Sequence, residues 1–180
     1  HHDLARVPSG GVSSRAVSAF GDEPVLLARR AKPIPVWVSR DRWLAGTFAV
    51  QNDDANLLIL DDGFQHLGLK RDLDLVLLDA RSPLGNGALL PLGPLREPPG
   101  NLARAAAIVL TRADDPGRTA KTRAMISRLL PGKPVFACRH RLTGLRVGLT
   151  GQLVSLEALR GKKAVAFAGI ARPETFFHLL

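Results

Sequence analysis

The sequence predicts an α/β domain with a mostly parallel sheet flanked by helices. Three observations carry that prediction. Short apolar runs alternate with helix-like stretches along the chain. Each run is apolar nearly throughout, as expected of strands covered on both faces. Hydrophobic residues make up 46% of the 180, which excludes disorder and gives one domain enough material for a core.

Taken in order, strands are expected at Pro35 to Val38, Leu57 to Leu60, Leu75 to Leu78, Ala107 to Leu110, Val135 to Ala137 and Val165 to Ala168. Helices are expected at Pro24 to Arg30, Arg42 to Val50, Thr119 to Leu129 and Pro173 to Leu180. Ser82 to Pro99 holds five prolines and three glycines, so it should be an ordered loop without regular structure. Loops of that length in a compact domain are often functional. The Gly-rich, basic stretch from Arg139 to Leu153 suits a hairpin.

Charge and composition narrow the function classes. The formal net charge is +9, from 25 Lys and Arg against 16 Asp and Glu. That excess suits a polyanionic partner: nucleic acid, an anionic membrane surface or a phosphorylated substrate. Aromatics are 5% with no Tyr, which leaves few platforms for stacking single-stranded bases. A basic, non-enzymatic nucleic-acid-binding module is the alternative reading, supported by net charge alone. The single cysteine, Cys138, excludes an internal disulfide and a Cys-based zinc cage, and points to a reducing compartment. No apolar run approaches the ~20 residues that span a bilayer. The chain starts without Met and ends inside an apolar pattern, so both ends are expected to be cut.

Asn56-Leu57-Leu58-Ile59-Leu60-Asp61-Asp62 reads as a buried strand that delivers two carboxylates to the C-terminal edge of a sheet, where ligands of open α/β folds bind. Carboxylates there can hold Mg²⁺ directly or through water. Asp-Asp-Gly is also ordinary turn chemistry. The polar pair Gln65-His66 straight after the turn has no obvious packing purpose, which favours the metal reading. In Gly21-Asp22-Glu23-Pro24, Asp22 or Glu23 can cap a helix whose first turn holds Pro24, or Asp22 can act as a general base. Arg96, a cation among rigid turns, can clamp a phosphate or pair with Glu97. Thr111-Arg112-Ala113-Asp114 is faintly similar to the base-reading motif of some nucleotide-binding proteins, but reads more simply as a surface turn. No Gly-x-x-x-x-Gly-Lys-Ser/Thr occurs, so the 180 residues hold no standard phosphate-cradling loop.

Together these blocks resemble the lipid A 4′-kinase (tetraacyldisaccharide 4′-kinase) family. They run in the family's order: Gly21-Asp22-Glu23-Pro24, Asp61-Asp62-Gly63-Phe64-Gln65-His66, Arg71-Asp72, Gly85-Asn86-Gly87, Leu90-Pro91-Leu92-Gly93-Pro94-Leu95-Arg96-Glu97, then Phe167-Ala168-Gly169-Ile170-Ala171-Arg172-Pro173-Glu174. The resemblance implies a P-loop hydrolase-like fold, present here in part, and spans residues 1–180 as one portion of a catalytic region. It implies ATP- and Mg²⁺-dependent transfer of a phosphate to the 4′-hydroxyl of a tetraacyldisaccharide 1-phosphate, giving lipid IVA. The partners implied are that lipid-linked disaccharide and the anionic surface at the cytoplasmic face of the bacterial inner membrane, with no nucleic acid. It assigns Asp61 and Asp62 to Mg²⁺ and Asp22 to the general base, with Glu23 beside it. Gln65 and His66 match polar residues near nucleotide and metal, and Arg96 sits in a family motif. The family's P-loop lies upstream of Gly21, and a His that partners the base lies downstream of Glu174. Without them, the chain alone is expected to be an inactive piece of the enzyme.

Overall fold

A computed structural model describes residues 4–10, 13–148, 150–170 and 173–180. Ala171 and Arg172 of the last motif lie outside them. The chain divides into two compact units, His1–Asp72 and Leu73–Leu180.

In the first unit, β1 (Leu4–Arg6) pairs antiparallel with β2 (Trp37–Ser39). Helix α1 (Ser14–Phe20) starts where the Ser13 hydroxyl accepts the Ala16 amide at 3.1 Å. Gly21, at φ 89, closes α1 and serves as N-cap of α2 (Asp22–Arg30). One residue thus makes both boundaries, because glycine takes that conformation without a Cβ clash. Val7, Val25 and Ala28 form the buried centre, with Val17, Phe20 and Val36 packed against it. Helix α3 (Arg42–Asp53) begins at Asp41, whose carboxylate accepts the Trp43 and Leu44 amides at 2.9 and 3.2 Å. Its last residue ties the unit together: Asp53 accepts from the Trp37 indole at 2.6 Å and pairs with Arg6 at 2.8 Å.

The second unit is built on a parallel sheet of order β3 (Leu75–Asp79), β4 (Ala107–Thr111), β5 (Val135–Ala137). Helix α4 (Pro116–Leu129) connects β4 to β5, with Asp115 as N-cap and Pro116 in its first turn. Ile108, Leu110 and Ile126 are fully buried, and α4 lies against β5. The buried Thr122 hydroxyl donates to the Ala80 carbonyl at 2.8 Å, which fixes α4 against the end of β3. A short hairpin, β6 (Leu145–Arg146) with β7 (Leu153–Val154), forms in the Gly-rich basic stretch, as expected there. The chain closes with α5 (Glu174–Phe177), shorter than the expected 173–180 helix.

The mixed α/β class with a parallel sheet flanked by helices matches the sequence reading, and three details differ. Leu57 to Leu60 forms no strand, and Leu57 and Ile59 are 73% and 84% exposed. Val165 to Ala168 forms none either. Both runs have strand composition, but a strand exists only where a neighbour takes its amides and carbonyls, and neither run has one among the described residues. Among the described residues, one face of the sheet is also largely exposed. Leu77 stands opposite Val109, which stands opposite Phe136, and Leu77 and Phe136 are 64% and 59% exposed.

Candidate active site

The Asp61–His66 block lies in the first unit on two successive turns. The segment before it runs past α3, where a Cβ added at Gly46 would stand 3.1 Å from the Leu58 side chain. Asp61 and Asp62 are exposed, and Asp62 takes the left-handed conformation at φ 50. Asp tolerates that region better than most residues, because its short carboxylate can bond locally. Gly63 is buried, and a Cβ there would come within 2.8 Å of Leu60, so only glycine lets the chain turn back this tightly. The His66 amide donates to the Gly63 carbonyl at 3.0 Å. Arg71 then donates to the His66 and Leu69 carbonyls, pinning the end of the block. Gln65 is exposed and His66 half-buried.

Asp22 and Glu23 occupy the first turn of α2 and are exposed. The cap itself is Gly21, while Asp22 accepts the Glu23 amide at 3.0 Å. Both carboxylates sit where the helix dipole favours negative charge. Among the described residues, no hydrogen bond or ion pair joins Asp22 or Glu23 to the Asp61–His66 turns. No three His, Cys, Asp or Glu side chains among the described residues gather as a metal cage. The donor chemistry of Asp61 and Asp62 nonetheless suits Mg²⁺, which takes hard oxygens and is commonly held by one or two carboxylates plus substrate phosphates.

Arg96 belongs to the second unit and is exposed, in the loop from Ser82 to Pro99. That loop is ordered without regular structure, as its composition predicts. Asn86 organises it: its side-chain oxygen accepts the Ala88 amide at 3.1 Å and its NH₂ donates to the Leu92 carbonyl at 3.0 Å. The Leu90 amide donates to the Leu95 carbonyl at 2.9 Å, bringing the two ends of the Pro-Leu-Gly-Pro turn together. Glu97 accepts from Asn101 at 2.8 Å and from Arg104 at 2.9 Å, which anchors the exit of the loop.

One cluster is not legible in the sequence. Asp79, at the end of β3, accepts from the Arg81 amide at 3.0 Å and pairs with Arg81 at 3.3 Å and Arg112 at 2.7 Å. Burial alone would push the Asp79 carboxyl up. The Arg81 side-chain and backbone hydrogen bonds and the charges of Arg81 and Arg112 outweigh it and hold the group below its usual range. Thr111-Arg112-Ala113-Asp114 is therefore more than a surface turn: Arg112 is half-buried, at φ 53, and ion-paired across β3 and β4. Beside it, Ala113, Asp114, Thr119, Arg123 and Arg139 line an open groove of about 550 Å³. The available clue is an Asp at the end of an apolar run with Arg two residues later.

Comparison with known proteins adds the family context. A family model described as tetraacyldisaccharide-1-P 4′-kinase matches residues 4–180. The chain is 55% identical over 175 residues to the tetraacyldisaccharide 4′-kinase of Syntrophobacter fumaroxidans, covering 97% of this chain and 46% of that protein. Its identity to the protein of that name from Anaeromyxobacter dehalogenans strain 2CP-C is 45% over 179 residues, 98% of this chain and 47% of the relative. For Syntrophotalea carbinolica it is 48% over 165 residues, 91% and 44%. The chain thus spans about half the length of the curated relatives it matches. No solved structure matches it.

Proposed function

The chain belongs to the tetraacyldisaccharide-1-P 4′-kinase family, and on that premise we propose that it supplies the metal-binding and base-bearing part of an enzyme phosphorylating the 4′-hydroxyl of a tetraacyldisaccharide 1-phosphate. The phosphate donor is ATP, and the product is lipid IVA of lipid A biosynthesis. The observation that carries this reading is the Asp61–His66 block: two exposed carboxylates on a tight turn, followed by an exposed glutamine and a half-buried histidine.

Asp61 and Asp62 would hold Mg²⁺, which when bound neutralises phosphate charge and orients the reacting phosphoryl group. Gln65 and His66 lie next to them in the chain and are the polar groups for orienting nucleotide oxygens. Asp22 is the proposed base that takes the proton from the attacking hydroxyl, with Glu23 beside it on the same helix turn. Arg96 is the proposed phosphate clamp, since a guanidinium fork matches phosphate oxygens. The net charge of +9 supports association with an anionic surface, proposed to be the cytoplasmic face of the bacterial inner membrane. Among the described residues, no helix is long and apolar enough to cross a membrane.

Phosphoryl transfer depends on positioning and electrostatic stabilisation, much of it supplied by a phosphate-cradling loop that these 180 residues do not contain. The chain alone is therefore proposed to be inactive. A family protein that contains this region and a P-loop should lose about 100-fold or more in kcat on Asp61→Asn or Asp62→Asn. An unchanged kcat in both variants would remove the metal assignment. ATP- and Mg²⁺-dependent phosphorylation of the disaccharide by the 180-residue chain would overturn its inactivity.

A further inference from the structure

We propose that Arg81 and Arg112, gathered on the Asp79 carboxylate at the C-terminal edge of the parallel sheet, bind a phosphate oxyanion carried by a nucleotide or a sugar. Asp79 and Thr111 are register partners at the ends of β3 and β4. That edge is where ligands of open α/β sheets bind. Just beyond it the backbone is latched on both sides: the Ala80 amide donates to the Thr111 carbonyl at 2.9 Å, and the Ala113 amide donates to the Cys138 carbonyl at 3.0 Å. Between these latches Arg112 takes φ 53, a conformation that non-glycine residues seldom adopt. The kink carries its guanidinium across to Asp79, on the neighbouring strand, at 2.7 Å.

The charge count leaves a surplus. One carboxylate faces two guanidiniums, and Asp79 is the one acidic partner of either arginine among the described residues. A structural pair needs one arginine; the second leaves a positive charge at a ligand-binding edge. Arg112 uses Nη1 on Asp79, and Arg81 uses Nε and Nη2. Each guanidinium has five N–H donors in a planar fork, so both keep donors for another oxyanion. The Arg81 and Arg112 side chains are 25% and 32% exposed, open to solvent yet held in place by their shared carboxylate. Residues kept in uncommon backbone conformations by over-determined surroundings concentrate at ligand clamps.

Anion binding is read directly on this chain, so its failure is distinct from a failure of phosphoryl transfer. The chain is titrated calorimetrically, at fixed ionic strength, with inorganic phosphate, ATP and glucosamine 1-phosphate. Saturable binding of at least one probe is expected, weakened about tenfold or more by Arg112→Gly and by Arg81→Gln. Glycine suits φ 53, so the first variant removes the guanidinium without opposing the backbone. Arg118→Gln, the same charge change at an exposed position on α4, should leave binding within about twofold. Tighter binding of ATP than of glucosamine 1-phosphate assigns a nucleotide source, and the reverse assigns a sugar phosphate. Binding by no probe overturns the proposal, as does binding by Arg112→Gly and Arg81→Gln that equals the Arg118→Gln control. Circular dichroism checks the fold of each variant. If both fail to fold, Arg112→Lys, which keeps the charge and loses the fork, decides the matter: weaker binding supports the site and unchanged binding overturns it.

Discussion

Two stretches of this chain carry nearly the same local text and meet different fates. Leu57-Leu58-Ile59-Leu60-Asp61-Asp62 and Leu75-Val76-Leu77-Leu78-Asp79 are both apolar runs ending in aspartate. The second is a ladder strand whose aspartate is half-buried and shared by two arginines. Among the described residues the first pairs with no strand, and its aspartates stand exposed on a turn. Neighbours make the difference, not composition. β4 supplies partners along the whole of β3, whereas Leu57 to Leu60 touches α3 through Leu58 and little else is buried. A carboxylate held by fixed cations is a structural and electrostatic fixture. Carboxylates exposed on a turn face solvent, where a hydrated ion can reach them.

The contrast breaks most readily at the apolar residues. Leu110 on β4 is fully buried, so Leu110→Ala should cost about 2–5 kcal/mol through lost transfer energy and the cavity left behind. Ile59, 84% exposed, should tolerate Ile59→Ser within about 0.5 kcal/mol. Urea unfolding of the two variants measures both. A cost above about 2 kcal/mol at Ile59 would mean that the first run is buried in solution as the second is.

A smaller effect separates the carboxylates by pH. Asp79→Asn removes charge-assisted hydrogen bonds to two arginines and should cost about 1.5–3 kcal/mol at pH 7. The sign of the linkage follows from the lowered Asp79 pKa. A carboxyl depressed in the folded state contributes stability above its unfolded value of about 3.9, lost as pH falls through the folded value. Wild type should therefore lose stability below about pH 4 more steeply than Asp79→Asn. Parallel curves for the two proteins would show that the arginines do not hold Asp79 in solution.

The legible parts of the fold share one property: the signal and its partner both lie in local sequence or in this same sheet. β4 and β5 are expected at Ala107 to Leu110 and Val135 to Ala137, and they form at Ala107–Thr111 and Val135–Ala137. The helix expected from Arg42 starts there, behind the Asp41 cap, whereas the one expected from Thr119 starts earlier, at Pro116 behind the Asp115 cap. Helix α1 has a cap in Ser13 but is seven residues long and buries none of them fully, so it carries no clear apolar stripe to mark it. Leu57 to Leu60 and Val165 to Ala168 have the composition of strands, which says nothing about who supplies the ladder. Asp79 escapes a sequence reading for a related reason. The expected strand stops at Leu78, and the link from Asp79 to Arg112 spans 33 residues of sequence. The αL conformation of Arg112 has no signature in residue type, since arginine is not a residue that favours it.

The finest distinction between the two runs is at Asp62. Its φ of 50 is the conformation glycine accepts most easily, yet aspartate tolerates it better than other side chains. Relief of the backbone and the greater freedom of an unfolded glycine act in opposite directions, so a stability change beyond about 0.5 kcal/mol in Asp62→Gly reports the contacts of the carboxylate itself. Arg112→Gly has the same opposed backbone terms and loses the ion pair to Asp79 at 2.7 Å, so it should be destabilised relative to wild type. Unfolding midpoints measured side by side decide the point. If Asp62→Gly costs more than about 1 kcal/mol, the Asp62 carboxylate is tied into the fold as Asp79 is, and a turn carboxylate that must let go of structural partners is a poorer candidate for the metal.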